Sequence, residues 1–420
     1  MLQHWSTTFG KVRRDQTGNV LVLGAMSMTA MVGAAGLGMD TVQWSLAKRQ
    51  LQQAADAAAV SGAYARANGT SVDVAAKKEL SALDKVTLSA PAVIENAPTV
   101  GAYAGDPSAV RVALEARLPL AFSNLFLSKP TLIPATAVGK IVSLGTYCVV
   151  ALDRAAITGI AVAGSASLNL GCGMRTNASG SAAISATGSS GVNVTSLSAV
   201  GKIPISSAYN ADAKIYQYSF IQPDPYAALP VPAPTGCGKQ VSVQPNRSEN
   251  LQPGCYQGLD VKGALNLAPG IYYIDGSKGG GFSVGSQGTL NGTGVTIILT
   301  SVDASFNPAS IAVADINGGA TLSLTATTTG TYAGVLLYQD RRALDIATNQ
   351  VNGNALSTLQ GGLYFPGQLV SFTGNAGMQT QCMQLVAKRV SFSGNSHVSN
   401  SCPSNSGARS FDGLVVRLVA

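Results

Sequence analysis

The chain has 420 residues, enough for two or three domains, and only 11% of them are charged. That charged share is well below the ~25% of ordinary soluble domains, and the 47 glycines suit tight turns. The composition therefore argues against a helical enzyme or a disordered chain and favours a mainly β body. The net charge of +7 is scattered over single and paired cations, which excludes the cation cluster that nucleic-acid binding needs.

The first element in chain order is an uncharged apolar run of 20 residues, Val20 to Met39. A helix of this length spans about 30 Å, the thickness of a bilayer's hydrocarbon core. A secretory signal has a shorter apolar core of about 7–15 residues, so a retained transmembrane anchor is favoured over a cleaved signal. Three cations precede the run, namely Lys11, Arg13 and Arg14. They predict a cytoplasmic N-terminus over residues 1–19 and export of everything after Asp40.

A second helical pattern follows the apolar run, because Leu46 to Ala65 is rich in Ala, Leu and Gln. Small side chains recur there at i, i+4, i+7 and i+11, which predicts one narrow face suited to packing on a partner helix. Asp56 lies beside this face, either as a solvated or capping carboxylate or as a charge that sets the register against the partner. The predicted face consists of Leu51, Ala55, Asp56, Ala58 and Gly62.

A small α/β unit is predicted over residues 40–145, just outside the membrane. Its elements are a helix over Ser71–Val86 with Ser71 as a possible cap, a strand over Val110–Leu118, a short turn or helix over Phe122–Leu127, and a strand over Thr131–Leu144.

Three segments of this region carry a family resemblance. They are Arg13-Arg14-Asp15-Gln16-Thr17-Gly18-Asn19-Val20; Asp40 with the later stretch from Leu46 to Ala59 that contains LQQAADAAA; and Val110–Leu114 with Pro119–Phe122 and Thr136–Gly139. Over about residues 11–140 the chain resembles the TadE/TadG-like family of the tight-adherence (Flp) pilus assembly system. The resemblance implies an inner-membrane or periplasmic component of pilus biogenesis, with other pilus-assembly proteins as partners.

Two departures from the family pattern limit what carries over. Type IVb pilin-like members have a Glu five residues after the prepilin peptidase cut, whereas a cut after Gly18 would place Leu23 there. Longer TadG-like members can carry a von Willebrand A-type domain with a D-x-S-x-S metal motif. The nearest candidate begins at Asp153 and lacks both hydroxyls, so we expect neither prepilin processing nor a metal site.

The C-terminal body, residues 146–420, has little charge and many short β-type runs. The hexapeptide at Val370–Asn375 returns almost unchanged at Val390–Asn395, 20 residues later. Weaker echoes are Gly164–Leu168, Gly180–Ile184, Gly263–Leu267 and Gly319–Leu324. Repeats of this period indicate stacked units, which predicts a parallel, right-handed β-helix. An antiparallel sandwich or jelly roll is the alternative.

A proline-rich stretch, residues 203–253, interrupts the pattern. It is predicted to be a long excursion without regular sheet. Asp224 and Tyr226 are either contacts for a partner or part of a plain surface loop.

The chain has six cysteines, and all follow the apolar run. An even number in an exported region favours disulfides over free buried thiols. Pairing in chain order is preferred because each bond closes a short loop: Cys148–Cys172, Cys237–Cys255 and Cys382–Cys402. Zinc is not expected, because only His4 and His397 are available and the ligand spacing is wrong.

The body has no DD or DxD pair, and its isolated acidic residues include Asp260, Asp275, Asp303, Asp315, Asp340, Asp345 and Asp412. Asp340-Arg341-Arg342 is either a sugar contact or a surface ion pair, and stacking could bring Asp315 to Asp340. No G-x-S-x-G elbow accompanies His397. We therefore expect no catalytic, cofactor-binding or metal-binding residue.

The leading hypothesis is a single-pass inner-membrane protein that acts in tight-adherence pilus assembly through protein–protein contacts. The alternative is an envelope β-helix that binds or cleaves polysaccharide, which requires two or three acids within about 5–10 Å. A third possibility is an oligomerising scaffold formed through an uncapped β-helix end.

Overall fold

The computed structural model describes residues 19–81, 87–373, 377–395, 397–401 and 411–420. The chain forms two compact units, one of Met1–Val142 with Val416–Ala420 and the other of Ser143–Val415. The last five residues therefore belong with the first unit, where the Val419 N–H donates to the Val138 carbonyl at 2.9 Å. The sequence analysis had assigned these residues to the body.

The first unit begins with helix α1, Asn19–Ala67, which is 49 residues long. It joins the predicted apolar span and the predicted second helix into one continuous element. Hydroxyls within the apolar part donate back to the helix's own carbonyls, Ser27 to Gly24 at 3.0 Å and Thr29 to Met26 at 2.8 Å. These bonds leave few unpaired donors on an otherwise apolar surface.

The rest of the first unit is a short helix and three antiparallel strands. The elements are α2 Val72–Leu80, β1 Val93–Asn96, β2 Ala109–Leu118, a 3₁₀ turn at Ser123–Leu125 and β3 Thr131–Ala151. β2 pairs with both β1 and β3. Ser71 caps α2, since its Oγ accepts from the Val74 N–H at 3.4 Å. The helix stops at Leu80, short of the predicted Val86, and residues 82–86 lie outside the described part of the chain.

The second unit contains the end of β3 and a series of further strands, most of them short, whose described pairings are parallel. The last of these strands continues into the first unit at Val416. The strands are β4 Ile160–Val162, β5 Ser167–Asn169, β6 Gly173–Thr176, β7 Ile184–Ala186, β8 Gly191–Asn193, β9 Ser196–Ala199, β10 Lys214–Tyr216, β11 Val241–Val243, β12 Ser248–Leu251, β13 Gly254–Tyr256, β14 Leu259–Val261, β15 Ala264–Leu267, β16 Gly270–Asp275, β17 Phe282–Val284, β18 Thr289–Thr300, β19 Ala314–Ile316, β20 Thr321–Ala326, β21 Val335–Gln339, β22 Thr348–Val351, β23 Thr358–Phe372, β24 Gly377–Phe392, β25 His397–Ser401 and β26 Phe411–Leu418. A 3₁₀ turn spans Pro308–Ser310.

The parallel pairings form three ladders. The first contains β13, β16, β18, β21, β23, β24, β3, β6, β9 and β10 in pairing order. The second contains β11, β14, β17, β19, β22, β23, β24, β4 and β7. The third contains β12, β15, β18, β20, β23, β24, β25, β5 and β8. Pairing order differs from chain order, because β24 and β25 join strands that begin the unit.

The first three residues of each hexapeptide, Val370–Phe372 and Val390–Phe392, fall on adjacent strands of the second ladder. Val370 pairs with Val390 and Phe372 with Phe392, and the two phenyl rings stack with centroids 5.0 Å apart. The apolar members face a continuous buried core. The serine between them lies on the opposite side of the strand, where Ser371 is 7% exposed and Ser391 is partly exposed. The predicted stacking of repeat units is confirmed at this site.

Glycine is required at one corner between the second and third ladders. Gly164, Gly188 and Gly394 all have φ between 72° and 75°. A Cβ on Gly188 would lie 2.7 Å from the Gly164 carbonyl oxygen, and one on Gly164 would lie 3.1 Å from that of Gly394. Successive turns can therefore approach this closely because Gly164 and Gly188 lack a side chain.

The proline-rich stretch 203–253 contains β10, β11 and β12. The expectation of no regular sheet there is wrong for these segments. These strands can form because the prolines lie between them: β11 ends before Pro245, and β12 lies between Pro245 and Pro253.

Candidate functional site: the apolar helix and its membrane-proximal contacts

The apolar half of α1 is exposed along its length. Met28 and Met31 are 70% and 69% exposed, and α1 is the one helix in the described part of the chain that is long and apolar enough to cross a membrane. Apolar side chains that the chain itself leaves uncovered suggest a membrane anchor. The preceding cations Lys11, Arg13 and Arg14 lie outside the described residues.

The face predicted to bind a partner helix packs inside the first unit. Leu51, Ala55 and Ala58 are fully buried, and a Cβ on Gly62 would lie 3.0 Å from Val110 Cγ1. The buried side chains that form this core with them are Val112, Leu114, Ala116, Ile133, Ala135 and Ala137. The small residues therefore let the chain's own sheet approach α1. The face predicted for a partner helix packs within the chain, partly on α2, because a Cβ on Gly62 would also lie 3.2 Å from Val72 Cγ1.

Two further observations explain why this contact is close. Gly139 of β3 lies against the Ala59 carbonyl, where any Cβ would collide with the helix backbone. Gln52 Nε2 donates to Asp56 Oδ1 at 2.8 Å and to the Thr136 carbonyl at 2.9 Å. Asp56 thus bonds within α1, and the neighbouring glutamine links the helix to β3.

Asp40 forms a buried polar site at the outer end of the apolar run, with its side chain 3% exposed. Its Oδ1 accepts from the Phe122 N–H at 3.1 Å, and its Oδ2 accepts from the N–H and Oγ of Ser123 at 2.5 and 2.6 Å. Burial raises the pKa of this carboxyl, but these hydrogen bonds outweigh burial and hold its pKa below the usual value. From the sequence, Asp40 was identified only as the boundary of the exported region and as part of the family resemblance. The feature of the sequence that could have indicated this site is a lone carboxylate directly after a membrane-length apolar run.

Two cysteine pairs of the second unit are bonded. Cys148 is joined to Cys172 with Cα atoms 5.8 Å apart, and Cys237 to Cys255 with Cα atoms 4.4 Å apart. Both pairs are neighbours in chain order. Cys402 lies outside the described residues, as does the side chain of Cys382, so the third predicted pair stays a prediction.

Asp224 and Tyr226 contact the second unit itself. Tyr226 donates to Gln384 Oε1 at 2.8 Å, and the Tyr364 hydroxyl donates to Asp224 Oδ2 at 2.6 Å. Arg341 donates to three carbonyls of the same segment, at 2.8, 3.3 and 2.8 Å: those of Ala227, Tyr226 and Leu229. The segment is thus fastened along the first ladder, so these two residues make contacts within the chain, which neither of the two alternatives, a partner contact or a plain surface loop, predicted.

Asp340 is fully buried and ion-paired to Arg342, with Oδ2 2.6 Å from Nη2, and accepts from Thr300 Oγ1 at 2.8 Å. Asp315 lies in the second ladder, whereas Asp340 follows β21 of the first, so the register does not pair them. Asp153 is bonded to Arg389 at 3.2 Å. These contacts are structural ion pairs, and the described residues contain no group of three His, Cys, Asp or Glu that could hold a metal.

Two carboxylates do share an outward column of the second ladder. Asp260 pairs with Ser283 and Ser283 with Asp315, two rungs or about 9.6 Å apart along the ladder. Burial raises the pKa of Asp260, but bonds from Lys262 and Ser283 outweigh it and the pKa lies below its usual value. A general acid needs a raised pKa, so Asp260 is suited to ion pairing rather than to proton donation.

Comparison with known protein families gives one match. Residues 18–66 match the profile described as "Putative Flp pilus-assembly TadE/G-like". The N-terminal resemblance is confirmed over these residues, which contain the apolar span, Asp40 and the buried small-residue face. The match ends before β2 and β3, where the sequence analysis extended the resemblance. No curated protein and no solved structure matches the chain.

Proposed function

We propose that the chain is a membrane-anchored structural protein of a tight-adherence pilus system. The observation that carries the proposal is the TadE/G-like match at residues 18–66, which falls on a helix with uncovered apolar side chains. The basic N-terminus supports an N-terminus in the cytoplasm and a body in the periplasm or at the surface. The two bonded cysteine pairs support an oxidising location for the body.

The body is proposed to be a parallel, right-handed β-helix. Three parallel ladders, a repeat of about 20 residues and a stacked Phe372–Phe392 pair support this architecture. Long ladders with small outward side chains offer extended surfaces for other assembly proteins. The protein is proposed to act by binding without catalysis, since Asp340 is buried in an ion pair with Arg342 and the partly exposed Asp260 is paired with Lys262.

Gene deletion in the source bacterium tests the proposal. Loss of surface pili in electron micrographs and loss of surface attachment are expected, with both restored by the full chain. A copy whose residues 20–39 are replaced by an unrelated transmembrane helix separates simple anchoring from a sequence-specific role. Normal piliation in the deletion strain would refute the function. Protease added to spheroplasts should digest the body while an N-terminal tag stays protected.

A further inference from the structure

The loop after β2, Phe122–Leu127, leaves a cluster of large apolar side chains uncovered. Leu125, Phe126 and Leu127 are 74%, 75% and 51% exposed. Such a cluster on three consecutive residues is unusual for a surface in contact with water. We will refer to these six residues as the apolar loop.

The apolar loop is attached to the apolar part of α1. The Phe122 ring lies directly over Gly36, where any Cβ would collide with it, and a Cβ on Gly33 would lie 4.0 Å from Phe122 Cζ. The Phe126 ring packs on Phe122 with centroids 5.3 Å apart. Asp40 holds the loop backbone at Phe122 and Ser123. The loop is therefore fixed against the outermost turns of the apolar run.

The position of Gly33 and Gly36 along α1 determines how deep Phe122 would lie in a bilayer. Gly36 and Gly33 lie three and six residues before Met39, which at 1.5 Å per residue is about 4.5 and 9 Å inside the end of the apolar run. A bilayer that surrounds the run to Met39 must therefore surround Phe122 as well. Its buried carboxylate neighbour, Asp40, has its oxygen atoms satisfied by the loop, which lowers the cost of placing it at this boundary.

Side chains that commonly contact lipid headgroups lie just beyond the outer end of the apolar run. Trp44 is one turn beyond Asp40 and carries Lys48 Nζ 5.3 Å from its ring, and Lys129 follows the apolar loop in an exposed position. Tryptophan and lysine at the edge of an apolar segment are typical of the membrane interface. We infer that the apolar loop is a second membrane contact, inserted among the acyl chains of the leaflet on the side of the body. The inference rests on the proposed anchoring of α1.

Single-tryptophan reporters test this in the full chain. Trp5 and Trp44 are replaced by Phe, and Phe126→Trp, Met31→Trp or Phe306→Trp is added. Each protein is reconstituted into phosphatidylcholine–phosphatidylglycerol vesicles whose acyl chains carry bromine at a shallow or a deep position. Met31 reports on the helix, and Phe306, 93% exposed in the second unit, reports on water.

The expected result is at least a twofold loss of Phe126→Trp emission, greater with shallow than with deep bromine. Met31→Trp should be quenched more by deep bromine, and Phe306→Trp by neither. Adding Gly36→Ala should reduce the quenching of Phe126→Trp, because the new methyl displaces Phe122. Gly38→Ala is the matched control, since no heavy atom lies within 4 Å of its Cβ position.

Quenching at Met31→Trp without quenching at Phe126→Trp would overturn the inference and leave the anchor intact. Unquenched but blue-shifted Phe126→Trp emission would place the loop against protein, such as a second copy, and would overturn it equally. Absence of quenching at Met31→Trp would refute the anchor, and the proposed function with it.

Discussion

The internal packing of α1 predicts a large effect of Leu51→Ala. Leu51 is fully buried, with 0% of its surface accessible, and it belongs to the core shared with β2 and β3. The substitution removes three carbon groups at about 0.8 kcal/mol each, or about 2.4 kcal/mol in transfer free energy. The cavity left behind brings the expected loss of stability to about 2–5 kcal/mol. Leu46→Ala, on the same helix but 53% exposed, should change it by about 0.5 kcal/mol or less.

Hydrogen exchange followed by mass spectrometry on the full chain in micelles measures this difference locally. A loss of about 2 kcal/mol corresponds to roughly 30-fold faster exchange of the β2 amides through unfolding of the first unit. Leu46→Ala should leave these rates nearly unchanged. Equal rates in Leu51→Ala and the unsubstituted chain would refute this internal packing of the face.

Three further predictions concern the second unit. Phe392→Ala should lower the free energy of unfolding by about 3–5 kcal/mol in a urea titration, because it removes half of a buried ring stack. Replacing Cys148 and Cys172 by Ser should cost about 3.4 kcal/mol in the same assay, given their separation of 24 residues. Burial raises the pKa of Asp345, but the bonds from Arg389 outweigh it and the pKa lies below its ordinary value. Ionised Asp345 therefore stabilises the fold above about pH 4, and this contribution disappears as the pH falls through the lowered pKa. Asp345→Asn should flatten the acid dependence of unfolding there.

Each of these changes has a matched control. Phe306→Ala removes an aromatic ring that is 93% exposed and should leave the urea midpoint unchanged. Peptide mapping without reductant should link Cys148 to Cys172, and any other partner would contradict the assigned bond. Asp303→Asn alters an exposed carboxylate, so an acid profile that changes as much as that of Asp345→Asn would exclude the assigned ion pair.

Several local features were accessible to sequence reasoning. The hexapeptide at Val370 and Val390 predicted neighbouring strands, because identical short runs bury identical faces when stacked. Ser71 predicted a helix start, because its hydroxyl can satisfy a free N–H. Strand β1 escaped prediction, since Val93–Asn96 is only four residues long and carries too little pattern to distinguish from a loop.

The pairings between strands that are distant in the sequence could not be predicted from local sequence patterns. β24 pairs with β3 and β4 across more than 200 residues, and no local pattern records which strand ends meet. The crossing segment around Asp224 and Tyr226 follows from this order, because the chain passes from β10 at one end of the ladders to β11 at the other. The Tyr226 and Asp224 side chains bond to Gln384 and Tyr364 of the strands that the segment crosses. Arg341 bonds to its backbone, at the Leu229 carbonyl.

The amino-acid sequence alone determined the apolar span and the stacking period, because both depend on the length and spacing of apolar residues along one segment. Only the tertiary structure decided what the side chains of the predicted partner face and of Asp40 contact. Leu51 and Ala55 became core rather than interface because β2 and β3 fold back onto them. Asp40 became a buried acceptor because Phe122 and Ser123, some 80 residues later, bring their N–H groups to it. Contacts between distant segments depend on how the whole chain packs, which short-range composition and periodicity do not record.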